Sequence, residues 1–89
     1  MNKLNPHEIG QRIKLLRKMN CERQLTICKI TGVQPSRLSK YESGKERLSL
    51  NNSILLARYF DVTLDYLFLG DLSGVPFAVS RRILKEQKE

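Results

Sequence analysis

Ser36, Arg37 and Lys40 stand at helical spacing in the segment TGVQPSRLSKYESGK. Their hydroxyl, guanidinium and ammonium groups all donate hydrogen bonds, and two of the three are cationic. Leu38 and Tyr41 place apolar side chains between them, on the opposite side of a helix. Groups of this kind bind acceptors and negative charge. The segment is therefore either an ordinary surface helix or a helix placed against a partner.

Two short helices joined by a tight turn are predicted to position these side chains. The spacing of apolar residues favours one helix over residues 24–31 and a second over residues 35–43. Gly32 supplies the positive φ that the turn requires, Pro35 is well tolerated at a first helical position, and Gly44 ends the second helix. Two such helices cross at roughly 90–120°, which leaves the outer face of the second free, and a helix fits the major groove of a duplex.

The rest of the chain predicts further helices and no strand. Ile9, Ile13 and Leu16 form a helical stripe that begins after Asn5 and ends near Met19. Two more helices are predicted over residues 51–60, with an inner face of Leu50, Ile54, Ala57 and Phe60, and over residues 64–69, between Thr63 and Gly70. The expected fold class is all-α, a compact arrangement of five short helices around one core.

Residues 72–89 differ from the rest of the chain. The run LSGVPF contains a Gly and a Pro and predicts a linker after a domain that spans residues 1–71. Two interpretations of the following PFAVSRRILKEQKE remain open. It forms a sixth helix, suited to dimerisation, that carries Phe77, Val79, Ile83 and Leu84, or it is a frayed, charged terminus.

The positive charge of the chain is concentrated in one segment. The net charge is +7. Residues 12–47 hold ten Lys or Arg against three acids, Glu22, Glu42 and Glu46, so this segment carries the entire excess. Such a distribution favours an anionic partner, either nucleic acid or an anionic membrane surface. Charge alone does not choose between the two.

Catalytic and metal-binding chemistry have few candidate residues. Cys21 and Cys28 do not form a CxxC pair, and His7 is the single histidine, so one subunit cannot assemble a four-ligand zinc site. There is no paired-carboxylate site and no phosphate-binding glycine loop. We expect neither an enzyme nor a cofactor.

No apolar run approaches the ~20 residues of a membrane span, and the start of the chain has no signal core, so we expect a soluble, cytoplasmic protein without membrane contact.

Three segments in register resemble one family. The runs IGQRIKLLRK, TGVQPSRLSKYESGK and LLARYFDVTLDYLFLGD are similar to the first helix, the turn with recognition helix, and the last two helices of phage-repressor-type (Xre-like) helix-turn-helix DNA-binding proteins. The resemblance runs without gaps from Ile9 to about Asp71. It implies a five-helix DNA-binding domain over residues 1–71 in which helix 35–43 reads the major groove.

The resemblance also implies roles for individual residues. Arg37 would bridge O6 and N7 of a guanine, and Lys40 would reach the same acceptors as a point charge. The alternative is that neither residue has a binding role and both are solvated on an exposed face. The implied base contacts are Pro35, Ser36, Arg37 and Lys40, with only apolar contact from Pro35. The implied phosphate contacts are Gln24, Gln34, Ser43, Lys45 and Arg47. The implied structural pair is Arg17 with Glu42.

Some residues depart from the family pattern. Cys21 stands where the family usually has Gly, and Arg23 replaces the usual Ser or Thr helix cap. Leu25 and Ile30 lie where polar residues are common, which would mark a protein contact if both are exposed. Glu22 replaces an apolar residue, and Ser53 replaces an aliphatic one. These departures leave open the geometry of the corner between the first two helices.

The function that the resemblance implies is sequence-specific binding of double-stranded DNA by a transcriptional regulator. We expect a repressor that occupies a promoter as a homodimer on a palindromic operator. The alternative is an antitoxin-like interaction module that neutralises a partner protein and binds DNA secondarily. The apolar tail residues Phe77, Ile83 and Leu84 motivate that alternative and would form the protein contact.

Overall fold

Six helices make up the fold. The structure is a computed structural model that describes residues 4–88 of the 89 in the chain. The helices are α1 Pro6–Met19, α2 Gln24–Thr31, α3 Pro35–Ser43, α4 Leu50–Phe60, α5 Leu64–Leu69 and α6 Phe77–Gln87. No strand occurs in the described part, and the predicted all-α class is confirmed. Across residues 4–88, no helix is long and apolar enough to cross a membrane.

Helix α1 begins where its cap chemistry predicts. The Asn5 side-chain oxygen accepts hydrogen bonds from the backbone N–H groups of His7, at 2.9 Å, and Glu8, at 3.3 Å. The Asn5 amide in turn donates to the Glu8 carboxylate at 3.3 Å, which completes a reciprocal cap. The apolar stripe of α1 is buried in the core and consists of Ile9, Ile13 and Leu16.

Helices α1 and α3 approach each other closely at Gly10. A Cβ atom at position 10 would lie 2.1 Å from the carbonyl oxygen of Tyr41 and 2.9 Å from that of Glu42. Only a glycine allows the two backbones this separation. The close approach brings Leu38 and Tyr41 of α3 into the core, where both side chains are almost fully buried. One face of α3 is therefore held by α1.

The predicted inner face of α4 is wrong at Leu50. This side chain is 63% exposed, whereas Leu48 in the preceding loop is buried and occupies the core. Helix α4 begins one residue earlier than predicted, with Ser49 as its cap. Ser53 is wholly buried, and its hydroxyl donates to the carbonyl of Leu50 at 2.6 Å, which satisfies the polar group inside the core. The buried face of α4 is Ser53, Leu56, Ala57 and Phe60, and Ile54 is half-buried.

The tail forms helix α6 and packs on α1, which decides between the two interpretations of this segment. Ile83 is fully buried in the common core, and Val79 packs against that core. The Arg82 guanidinium donates to the carbonyl oxygen of Met19 at 3.1 Å, so α6 is also tied to the end of α1. Two of the four apolar tail residues remain on the surface, Phe77 at 76% exposure and Leu84 at 47%.

Candidate nucleic-acid interface

The turn between α2 and α3 is built from local hydrogen bonds. Gly32 has a φ of 87°, and its N–H donates to the carbonyl of Cys28 at 2.9 Å. The Thr31 hydroxyl donates to the carbonyl of Ile27 at 2.8 Å and accepts from the N–H of Val33 at 3.2 Å. Val33 itself is buried. These contacts set the entry of the chain into α3 within three residues of the end of α2.

Helix α3 has one buried and one exposed face. Its buried residues are Leu38, Tyr41 and Glu42. The structure places Ser36, Arg37 and Lys40 together on the exposed face, and Pro35 occupies the first position of the helix. The remaining exposed members of the predicted site flank this face and are Gln34, Ser43, Lys45 and Arg47. The predicted base contacts thus share a single outward surface.

Arg37 forms an ion pair on this surface that the sequence does not signal. Its Nη1 lies 2.9 Å from Oε2 of Glu46, nine residues later in the loop that follows α3. Both side chains retain solvent contact, with 52% exposure for Arg37 and 31% for Glu46. The pKa of Arg37 is raised, mainly by the negative charge of Glu46 and then by the Tyr41 hydroxyl. The Arg37 guanidinium on the exposed face of α3 is therefore paired with a carboxylate of the following loop.

A second ion pair lies behind the exposed face. The Arg17 guanidinium of α1 contacts both oxygens of Glu42 in α3, at 2.8 Å from Nε and 2.9 Å from Nη2. The Arg17 side chain is 16% exposed and that of Glu42 is 5% exposed. The Gln24 amide of α2 donates to the same carboxylate at 3.1 Å. The pKa of Arg17 is raised by the hydrogen bond to Glu42, against the lowering effect of burial.

Gln24 thus has a partner that its predicted role as a phosphate contact did not include. It is half-buried, and its amide nitrogen faces Glu42. This nitrogen carries two N–H donors, and the carboxylate takes one of them. Arg23, which precedes it, makes no side-chain cap to α2. The backbone N–H groups at the start of α2 are consequently not occupied by the Arg23 side chain.

Tyr41 links α3 to the start of α4, a contact that sequence reasoning missed because Tyr41 fits the apolar stripe. Its hydroxyl accepts a hydrogen bond from the amide of Asn52 at 2.8 Å. Burial raises the pKa of Tyr41, but the hydrogen bonds from Asn52 and Ser49 outweigh it, and the net direction is downward. This contact joins the two helices that flank the loop, and Leu48 within the loop is buried.

The corner between α1 and α2 keeps a tight geometry without glycine. Cys21 has a φ of 55°, in the left-handed region that glycine adopts easily, and its N–H donates to the carbonyl of Lys18 at 2.9 Å. Glu22 accepts a hydrogen bond from the Tyr59 hydroxyl of α4, which raises the pKa of Tyr59 to about 12. Leu25 and Ile30, the apolar departures on α2, are 60% and 63% exposed.

Metal chemistry has no evident site in this surface or elsewhere in the described chain. Within residues 4–88, no group of three His, Cys, Asp or Glu side chains is arranged to hold a metal ion. Cys28 is buried, and burial raises the pKa of its thiol, followed by the charge of Glu42. The exposed face of α3 therefore offers hydrogen-bond donors and positive charge as its chemistry.

Comparisons with known proteins agree with this geometry. The chain matches the model of the helix-turn-helix family over residues 13–67, which span α2, the turn and α3. No curated protein is similar enough to count as a match. A solved structure, the high-resolution crystal structure of the restriction-modification controller protein C.AhdI from Aeromonas hydrophila, is similar, with 30% sequence identity and a TM-score of 0.66. The alignment covers 71% of this chain and 96% of that chain. The chain belongs to the Xre-like helix-turn-helix family of DNA-binding transcription regulators.

Proposed function

We propose that the protein regulates transcription by sequence-specific binding of double-stranded DNA, with α3 inserted in the major groove. The observation that carries this proposal is the two-faced character of α3. Leu38 and Tyr41 anchor one face in the core, while Ser36, Arg37 and Lys40 share the other. A helix held rigidly in this way presents donors at defined positions, which is what the reading of base edges requires.

Arg37 is the proposed principal base contact. A guanidinium can donate two parallel hydrogen bonds to O6 and N7 of guanine, the commonest specific contact in the major groove. Lys40 lies near it on the exposed face and would reach the same acceptors without a fixed fork geometry. Ser36 would contribute a hydroxyl to a neighbouring base, and Pro35 only apolar contact. Together the four residues would read a short half-site.

The proposed phosphate contacts surround this face. Gln34, Ser43, Lys45 and Arg47 are exposed at the two ends of α3 and in the loop after it. Gln24 would use the amide proton that Glu42 leaves available, and the N-terminus of α2 favours a phosphate there. Contacts of this class fix the register of the protein on the duplex but carry no sequence information.

A homodimer on a palindromic operator is the proposed assembly. One copy of a small module makes few base contacts, whereas a two-fold dimer doubles them at half-sites about 34 Å apart. We further propose that binding represses transcription by covering a promoter. Similarity to a restriction-modification controller protein supports a regulatory role for this chain.

Selection of the purified full chain against a random duplex library tests this proposal. The winning sequence and a random duplex are then titrated by fluorescence anisotropy at about 50 and 200 mM salt. We expect a palindrome that stays tightly bound at the higher salt while binding of the random duplex is lost. Equal, weak binding of both duplexes that vanishes at the higher salt would contradict sequence-specific regulation.

The alternative function, an antitoxin-like interaction module, has partial support from the tail. Phe77 and Leu84 are exposed, but Ile83 is buried in the protein's own core and offers no contact surface. A partner would therefore meet two of the three expected apolar side chains. Recovery of a stoichiometric partner from the native host, lost in a Phe77→Ser, Leu84→Ser variant, would favour this function. Recovery of DNA alone would exclude it.

A further inference from the structure

The position of Glu46 beside α3 is set by the backbone that follows the helix. Gly44 adopts a φ of 78° and turns the chain back on itself. The N–H groups of Lys45 and Glu46 both donate to the carbonyl of Lys40, at 2.9 and 3.4 Å. This is a helix-ending arrangement that exists independently of side-chain charge. Glu46 therefore lies next to Arg37 because of the way α3 terminates.

The contact holds Arg37 at a defined place on the exposed face. Glu46 is the less exposed of the two side chains, 31% against 52%. The Tyr41 hydroxyl, which accepts a hydrogen bond from the Asn52 amide at 2.8 Å, adds to the raising of the Arg37 pKa by Glu46. The ion pair with Glu46 is therefore the observed contact that places the Arg37 guanidinium on this face.

We propose that Glu46 determines the specificity of the DNA-binding face by positioning the guanidinium of Arg37 for one base pair. This inference rests on the function proposed above. A guanidinium has five N–H donors in one plane, and Glu46 takes one of them on Nη1. Enough donors remain for the two parallel hydrogen bonds to guanine. A side chain already held in place loses less rotamer freedom on docking, so the bond to the matching base becomes more favourable.

The carboxylate also acts on every sequence that does not match. Glu46 is a negative charge beside the face that meets the phosphates of the duplex, and like charges repel. Binding to random DNA is almost entirely electrostatic, so no base contact compensates this repulsion and the affinity for random DNA falls. On the matching site the orientation of Arg37 offsets the repulsion. Glu46 therefore increases the ratio of specific to random affinity in two ways: it favours the contact of Arg37 with the matching base, and it weakens binding to random DNA.

The test compares the full chain with its Glu46→Gln variant, which removes the charge and keeps the size of the side chain. Affinity is measured for the preferred site, for the same site with the guanine of Arg37 replaced, and for a random duplex. We expect tighter binding to the random duplex and a drop of about fivefold in discrimination at that one base pair, the low end of what one bidentate contact contributes. Glu46→Asp, which keeps the charge, should restore part of the discrimination.

Two control variants separate positioning from a general charge effect. Asp65→Asn removes a carboxylate from an exposed position on α5 and should leave base discrimination unchanged. In an Arg37→Ala background, Glu46→Gln should still tighten random binding but should no longer alter discrimination at any base. Glu46→Gln is an exchange at a solvent-accessible pair, and circular dichroism of each variant confirms that the fold is retained.

The possible results fall into three groups. Loss of discrimination at the Arg37 base pair in Glu46→Gln, absent in the Arg37→Ala background, supports the inference. If the wild-type protein prefers one site and Glu46→Gln discriminates equally well at the Arg37 base pair, the inference is overturned and the proposed function remains intact. A wild-type protein with no preferred site overturns both.

Discussion

The guanidinium of Arg17 and the carboxylate of Glu42 lie face to face, with Nε 2.8 Å from Oε2 and Nη2 2.9 Å from Oε1. Gln24 donates to the same carboxylate. Helices α1, α2 and α3 therefore meet at one buried acid behind the exposed face of α3. A bidentate pair of this kind fixes direction as well as distance. It ties α3 to the two helices that precede it.

Replacing Arg17 with Ala should destabilise the protein strongly. The Glu42 side chain, 5% exposed, would lose its cationic partner and keep only the hydrogen bond from the uncharged Gln24 amide, and breaking one side of a buried pair costs about 3–5 kcal/mol. Urea denaturation of the variant measures the loss. The double variant Arg17→Met, Glu42→Leu should lose less than Arg17→Ala, because it leaves no unpaired charge. A loss below about 1 kcal/mol in Arg17→Ala would show that the pair behaves as an exposed one.

Glycine substitutions should separate steric conflict from backbone strain. A Cβ at position 10 would lie 2.1 Å from the carbonyl oxygen of Tyr41, so Gly10→Ala forces α1 and α3 apart. We expect a loss of about 3 kcal/mol or complete unfolding. Gly32→Ala meets no atom within 4 Å but must adopt a φ of 87°, which costs about 1–2 kcal/mol. Thermal unfolding of the two variants measures both, and a smaller effect for Gly10→Ala would contradict the packing argument.

Two cations near α3 should affect DNA binding in different ways. Arg37→Ala should cost about 1–3 kcal/mol on the preferred site and relax selectivity at one base position. Lys45→Ala should weaken binding to all sequences alike and reduce the salt slope by about one. Anisotropy titrations on preferred and random duplexes measure both effects. Arg58→Ala, an exposed cation on α4 outside the proposed interface, serves as the control. Equal losses on both duplexes for Arg37 and Lys45 would contradict the division of roles.

The hydrogen bond between Tyr59 and Glu22 should be visible in the alkaline titration of the protein. It raises the pKa of Tyr59 from its ordinary value of 10 to about 12. Because the folded-state pKa lies above the unfolded one, the bond stabilises the fold fully below about pH 10, and this stabilisation is lost as the pH rises through about 12.

Ultraviolet absorbance of tyrosinate measures this ionisation, and the Tyr59→Phe variant assigns it. In Glu22→Gln the carboxylate that favours the protonated phenol is gone, so the pKa of Tyr59 should fall towards about 10. Retention of the high pKa in Glu22→Gln would show that burial, rather than this hydrogen bond, causes the shift.

The limits of α3 and its outward face could be predicted from the sequence because their causes are local. Gly32, Pro35 and Gly44 act through the conformation of their own backbone, and the observed helix begins and ends at the predicted residues. Apolar spacing placed Leu38 and Tyr41 inside, which leaves Arg37 outside. The buried face of a helix can be predicted from the period of its apolar residues, whichever element it packs against.

Only the tertiary structure decided which groups meet across the folded chain. Leu48, rather than Leu50, fills the core at the start of α4, because two nearby leucines compete for one space that other helices define. Order in α6 depends on the burial of Ile83 against residues far away in the chain. The contact between Arg37 and Glu46 follows from the backbone turn after α3, and no periodic pattern links positions nine residues apart across such a turn. The sequence by itself determined the donors on α3, and the tertiary structure determined the carboxylate that pairs with one of them, because that contact depends on the path of the backbone after the helix.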